Sequence, residues 1–315
     1  MIKIDSLVII TINIKMQLNY DICSKITNYL YKPTYELLDW IPIEKLNWNE
    51  LSANPNAIDL LTKNKDKINW DRLSDNPNAI ELLAGNQDKI TWYKLSANAN
   101  AIELLTQNQD KISWYWLSTN PNAIKLLTEN KDKINWICIS SNPNAIELIE
   151  EKLLEERNKI SWYKLSANPN AIKILEQNVD LIIWCQLSKN PNAIQLLKEN
   201  YDKIDWDKLS TNSNAIELLL KNRDKINWFW LSYSTNIEAI NLLSQNIYGV
   251  MERMQYKNYW NILSSNYAAI KILEYDYLNG YNNINWELLS NNHAIFKLRV
   301  HTYAITKILN LIFTK

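Results

Sequence analysis

Apolar and polar positions recur along this chain in a fixed order. In KINWDRLSDNPNAIELLAGNQDKITW, residues 67–92, the apolar set is Ile68, Trp70, Leu73, Ala79, Ile80, Leu82, Leu83, Ala84, Ile90 and Trp92, with mostly polar residues between them. Trp48, Trp70, Trp92, Trp114 and Trp136 are each 22 residues apart, and so are Trp162, Trp184, Trp206 and Trp228. Such a ruler marks an internal repeat. Aligned on tryptophan, the unit reads W-x-x-L-S-x-N-P-N-A-I-x-L-L-x-x-N-x-D-K-I-x, in eleven copies that open at Trp48 and close after Trp286.

A period near 22 also suits leucine-rich repeats, so local chemistry has to separate the two. Asn76 followed by Pro77 is an N-cap and then a proline at the first helical position, where its missing N–H costs nothing. Ala79, Ile80, Leu82 and Leu83 then share one broad helical face, while Asn78, Glu81 and Gly85 lie off it, unlike an L-x-L strand. Asn86 is expected to end this helix in a left-handed turn. The other half of the unit starts at the residue before each tryptophan. Asn69, Thr91, Ser113, Asn135, Ser161, Asp205, Asn227 and Asn285 all suit an N-cap, and Ile183 breaks the rule once. With Asn69 as cap, Ile68 and Leu73 occupy the positions of a hydrophobic staple. Each unit therefore reads as a helix of about five or six residues, a sharp corner at Asn-Pro, and a helix of about nine.

Helices this short are marginal alone, so stacking must hold them. A tryptophan buries about 150–250 Å², an upper bound of roughly 4–6 kcal/mol. Trp48, Trp70, Trp92, Trp114, Trp136, Trp162, Trp184, Trp206, Trp228 and Trp286 are accordingly expected to form a core ladder. With neighbours about 8–10 Å apart, eleven units make a rod or arc roughly 100 Å long. The fold class is all-α, an α-solenoid of about eleven 22-residue two-helix repeats with divergent caps. Residues 1–34 form an N-terminal segment in which alternation over 2–16 permits a strand, residues 35–285 the array, and 286–315 the final repeat with a C-terminal capping helix. Two irregularities stand out. Trp136 to Trp162 is 26 residues, which reads as one added helical turn near Lys152–Arg157, and Trp228 to Trp260 is 32, which suggests an elbow near 233–259.

Composition narrows the function. Lys plus Arg and Asp plus Glu are both 34, so no excess field draws in nucleic acid or anionic lipid. Three glycines leave no material for phosphate loops or dinucleotide fingerprints. Cys23, Cys138 and Cys185 are far apart and lack metal-ligand spacing, which fits a reducing compartment. Leu7–Ile12 is too short an apolar run to span a bilayer and lacks the flanks of a secretion signal. The expectation is a cytoplasmic or nuclear protein, neither secreted nor membrane-bound, without cofactor or metal. His293 and His301 sit eight residues apart in the divergent C-terminal segment and read as surface or cap residues.

A solenoid binds with residues that its frame does not need. The two positions after each tryptophan vary, and aromatic residues concentrate there. Tyr93, Lys94, Tyr115, Trp116, Tyr163, Lys164, Phe229 and Trp230 are the candidate partner-binding residues. The competing reading packs them between neighbouring first helices. A second stripe, Lys67, Lys89, Lys111, Lys133, Lys159, Lys203 and Lys225, invites a nucleic-acid reading. An aspartate precedes most of these lysines, so solvated Asp-Lys pairs that order the loop are the simpler expectation.

The stretch DWIPIEKLNWNELSANPNAIDLL, residues 39–61, and the recurring NPNAI, DKI and W resemble uncharacterised repeat proteins of giant (nucleocytoplasmic large) DNA viruses, over about residues 35–295. The architecture is more distantly similar to leucine-rich variant repeats, where an Asn-Pro also starts the second helix of each pair. Ala99 and Ser213 replace the proline and Leu181 the lysine, which weakens single caps or loops without challenging the stack. The resemblance implies a viral origin, with a host cell or virion as the setting, and no catalytic residues. The leading expectation is a non-enzymatic scaffold for protein–protein interaction, acting on a host or virion protein. The alternative is a helical repeat protein that binds single-stranded nucleic acid, and an enzyme with a site near Gly249 comes third.

Overall fold

The computed structural model describes residues 34–251 and 256–299. It is an all-α repeat solenoid, and residues 37–296 form one compact unit by themselves. Each repeat opens with a short first helix at its tryptophan, such as Trp48–Ala53, Trp70–Leu73 or Trp92–Ala97. The Asn-Pro corner is a tight turn, 3-10 at Pro55–Ala57, and leads into a second helix such as Ile58–Lys63 or Ile80–Ala84. The x-D-K segment, expected as a loop, forms a 3-10 turn in most units, as at Lys65–Lys67 and Gln87–Lys89.

The expected caps form where the side chain reaches. Asn69, Asn135, Ser161, Asp205, Asn227 and Asn285 each accept a backbone N–H from the first turn. Thr91, Ser113 and Ile183 do not. Instead, the Thr91 hydroxyl donates to Asp71 of the preceding unit. The left-handed turn expected at Asn86 is absent, because its φ is -141°. The Asn86 amide donates back to the Leu82 carbonyl at 2.9 Å, so the side chain satisfies a helix end that a left-handed residue would otherwise close.

The fully buried layer differs from the expected one. Leu73, Ala79 and Leu83, and their equivalents in the first ten units, have no solvent exposure or almost none. The ten repeat tryptophans are half-buried. At N1 the ring lies beside, not over, the leucine three residues on, and it keeps one flank at the surface.

Polar residues fasten unit to unit. The serine of Leu-Ser, Ser96, donates to the Trp92 carbonyl and accepts the Ser113 N–H of the next unit. The first asparagine of the following corner, Asn120, donates to the Ser96 and Asn98 carbonyls at 3.1 and 2.9 Å, while its oxygen accepts the Asn122 N–H. The second, Asn122, donates to the Ala99 carbonyl. Four bonds thus cross this junction, including one to the alanine in the proline position.

The expected open rod is corrected by the two ends of the array. Asn54, in the first unit, donates to the Ser290 and Asn292 carbonyls of the last at 3.0 and 3.2 Å. The Asn47 N–H donates to the Ser290 hydroxyl, and Asn56 to the His293 carbonyl. Unit eleven therefore lies before unit one as unit three lies before unit four, and the stack closes into a ring. Caps are unnecessary where each unit covers its neighbour. First helices of successive units pack on one another, as Trp48–Ala53 on Trp70–Leu73 and Trp286–Ser290 on Trp48–Ala53, and second helices stand further apart. In a closed ring the more closely stepped layer is the one nearer the axis.

Residues 293–298 depart from the expected C-terminal capping helix. His293–Ile295 is a 3-10 turn, and Phe296–Leu298 is a strand, β2, paired with the strand β1 at Tyr35–Leu37. The possible strand at 2–16 and the segment after residue 299 lie outside the described residues. Both insertions leave the ladder in phase. The first lengthens a second helix to Ile146–Glu156, as expected. Around 233–259 the added residues extend helices, Ile237–Met251 and Tyr256–Ser265, and Asn266 still donates to the Ser232 and Ser234 carbonyls. No break in the ladder marks the expected elbow among the described residues.

Candidate partner-binding surface

The lysine stripe has a structural occupation. Lys67 lies over the Trp48 ring at 4.4 Å, Lys89 over Trp70 at 4.5 Å, Lys111 over Trp92 at 4.6 Å and Lys133 over Trp114 at 4.7 Å. Lys203 and Lys225 cover Trp184 and Trp206 likewise, and Lys45 covers Trp286 across the ring closure. Each ammonium screens the half-open face of the indole that opens its own unit, a contact worth about 0.5–1 kcal/mol at an exposed site. Where the pattern lapses, another cation serves. Arg157 covers Trp162 when Leu181 replaces the lysine, and Lys152 covers Trp136 in the lengthened unit. The expected Asp-Lys pairing within the motif is not the contact these lysines make.

The candidate stripe divides into two kinds of position. On the first helix, the residue after tryptophan points away from the buried leucine, and the next residue points toward the neighbouring unit. Tyr93, Tyr115 and Tyr163 are 48%, 50% and 56% exposed, and Ile137, at the same position, is 58% exposed. The second position bridges units. Arg72 pairs with Glu50 at 2.6 Å, and Lys94 with Asp71 at 2.7 Å and Asp75 at 3.2 Å. Trp116 lies 6.5 Å from Tyr93 and edge-on to Tyr115 at 5.2 Å, and the Lys164 ammonium lies 3.6 Å from the Cys138 sulfur. The second position thus packs between neighbouring units, and the first stays exposed.

Electrostatics follow from these bridges. The Lys94 hydrogen bond, opposed by partial burial, holds the Asp71 carboxyl below its usual value. Burial pulls Lys94 down, but its bonds to Asp71 and Asp75 outweigh that and leave it raised. A hydrogen bond to Cys138 of the next unit raises the Tyr115 phenol. Tyr93, Lys94, Tyr115, Trp116, Tyr163 and Lys164 thus share one face of units three to six. Phe229 and Trp230 belong to a separate cluster with Tyr233, where the rings meet at 5.4 to 6.0 Å and Lys208 lies 3.8 Å over Trp230.

No protein-family model, curated protein or solved structure matches the chain. What this surface does has to be argued from its own chemistry. One position escaped the sequence reading. The residue five after tryptophan is one helical turn beyond the first exposed position and shares its face. Ala97, Thr119, Ser141 and Ala167 fill it in units three to six, beside Tyr93, Tyr115, Ile137 and Tyr163. An i, i+4 pairing of the variable positions was the available signal.

Proposed function

We propose that the ring is a non-enzymatic scaffold that binds another protein through the first-helix face of units three to six. The observation that carries this is the row Tyr93, Tyr115, Ile137 and Tyr163, about half exposed at one repeated position, while Lys94, Trp116 and Lys164 fix the helices beside it. Rigid aromatic anchors with small neighbours lose little entropy on binding and suit a protein partner. The single-strand reading needs cations free beside the rings. Lys94 and Lys164 are engaged, and the DKI lysines cover indoles, so that alternative has less support. The resemblance to giant-virus repeat proteins directs the search to host or virion proteins of cytoplasm or nucleus.

Affinity capture followed by variants tests this reading. Tyr115→Ala combined with Tyr163→Ala is expected to change stability by no more than about 1 kcal/mol, since both rings are half exposed. The captured partner should be lost at least tenfold and with little dependence on salt. Retention of the partner by the double variant, or polynucleotide binding that falls steeply with salt, would remove the scaffold reading.

A further inference from the structure

The face of units three to six ends in unlike charges, and both occur at the position five after tryptophan. That position holds small or polar residues from Ala97 to Ala167, but Asp75 in unit two and Lys189 in unit seven. At the first end, Asp71 and Asp75 together hold one ammonium, Lys94, at 2.7 and 3.2 Å. Two carboxylates against one cation leave a negative charge, and the Asp71 and Asp75 side chains are 53% and 43% exposed. At the other end Lys189 is exposed and pairs with no carboxylate among the described residues. Between them, no side chain at either exposed position of units three to six is charged, since their lysines, Lys94 and Lys164, are turned to the neighbouring unit.

We propose, on the scaffold reading above, that this face binds an extended peptide segment of matching polarity. A cationic side chain of the segment meets Asp71 and Asp75, apolar side chains fill the seats beside Tyr93, Tyr115, Ile137 and Tyr163, and a carboxylate meets Lys189. Large residues alternating with Ala97, Thr119, Ser141 and Ala167 leave room for those apolar groups, and the end charges fix the register and direction in which the chain lies. Five steps of about 8 Å separate units two and seven, and an extended chain advances about 3.3 Å per residue, so about twelve residues separate the segment's two charges.

Labelled peptides of fourteen residues test the polarity by fluorescence anisotropy with the full chain. One carries arginines at its N-terminal end, leucine and alanine in the middle and glutamates at its C-terminal end, and the other has the charges exchanged. One of the two is expected to bind at least fivefold more tightly. Lys189→Glu should abolish that preference, and Asp75→Lys with Lys189→Asp should reverse it. Lys189→Glu removes an exposed, unpaired side chain, so its fold can be verified by an unchanged thermal melt. Equal affinity for both peptides overturns the polarity and leaves the scaffold standing. Failure of both peptides to bind, or displacement of the tighter one by oligothymidylate of equal length, overturns the proposal. Loss of peptide binding with Tyr115→Ala and Tyr163→Ala ties it to the same face.

Discussion

At the scale of single residues, the corner asparagine is both a cap and a fastener, and the two roles make different predictions. The side-chain oxygen of Asn120 takes the Asn122 N–H, as any cap would, and its amide gives two hydrogens to buried carbonyls of the preceding unit. Asp serves as well as Asn at an N-cap. In the ladder it loses both donors and sets a carboxylate against carbonyl oxygens. Asn120→Asp is therefore expected to destabilise at least as much as Asn120→Ala, which should cost about 2–4 kcal/mol through the orphaned acceptors. Urea denaturation measures both, and a neutral Asp variant would reduce Asn120 to a cap. The Asp71–Lys94 pair belongs to the same scale. Because the folded-state pKa of Asp71 is depressed, its contribution is full above the unfolded carboxylate value and is lost as pH falls through the folded one. With the Asp71 carboxylate half exposed, the pair is worth about 0.2–1 kcal/mol. Asp71→Asn should lower stability by about that much at pH 7 and by nothing near pH 2, as read from paired denaturation curves.

At the scale of elements, the junctions are not equal. The junction before Trp114 carries four fastening bonds, and so does the one between the last unit and the first. Those on either side of units nine and ten carry fewer among the described residues. Ser234 stands where the ladder has asparagine, Tyr267 and Ala268 where it has Pro-Asn, and Ala294 where it has the second asparagine. Asn227 and Asn236 keep three bonds to unit eight, and Asn285 and Asn292 three to unit ten. A fastening bond is worth about 1 kcal/mol, so one fewer favours local opening by roughly fivefold. Hydrogen exchange is expected to be faster at the N–H groups of Asn227 and Asn285 than at that of Asn47, although the chain is discontinuous only at the seam. Ser234→Asn, which restores two donors, should slow exchange at Asn227.

At the scale of the whole molecule, closure makes the end units equivalent to the middle ones. In an open solenoid a terminal asparagine would face water and its loss would be nearly silent. In the ring, Asn54→Ala removes bonds to Ser290 and Asn292 and should cost as much as Asn120→Ala. A silent Asn54→Ala in the same urea series would argue for an open stack. Closure also fixes the curvature of the face that carries Tyr93 to Tyr163, so the proposed peptide site is held in shape by the whole circle of junctions.

The repeat unit is legible in the chain alone. Tryptophan spacing, Asn-Pro corners, capping residues and the leucine pattern are local signals, set by interactions within a few residues, and they yielded the two-helix repeat, its count and the harmless lengthening at Ile146–Glu156. How units meet emerges from the folded stack. That Ser96 bridges two backbones, that lysines lie on the previous indole and that tryptophans are half-buried are properties of a junction between residues about 20 apart. Closure lies further still from local chemistry, because a small rotation per unit, summed over eleven, separates an arc from a ring. No single residue encodes that sum, yet every junction contributes to it, and Asn54 finds Ser290 only because all the others are in place.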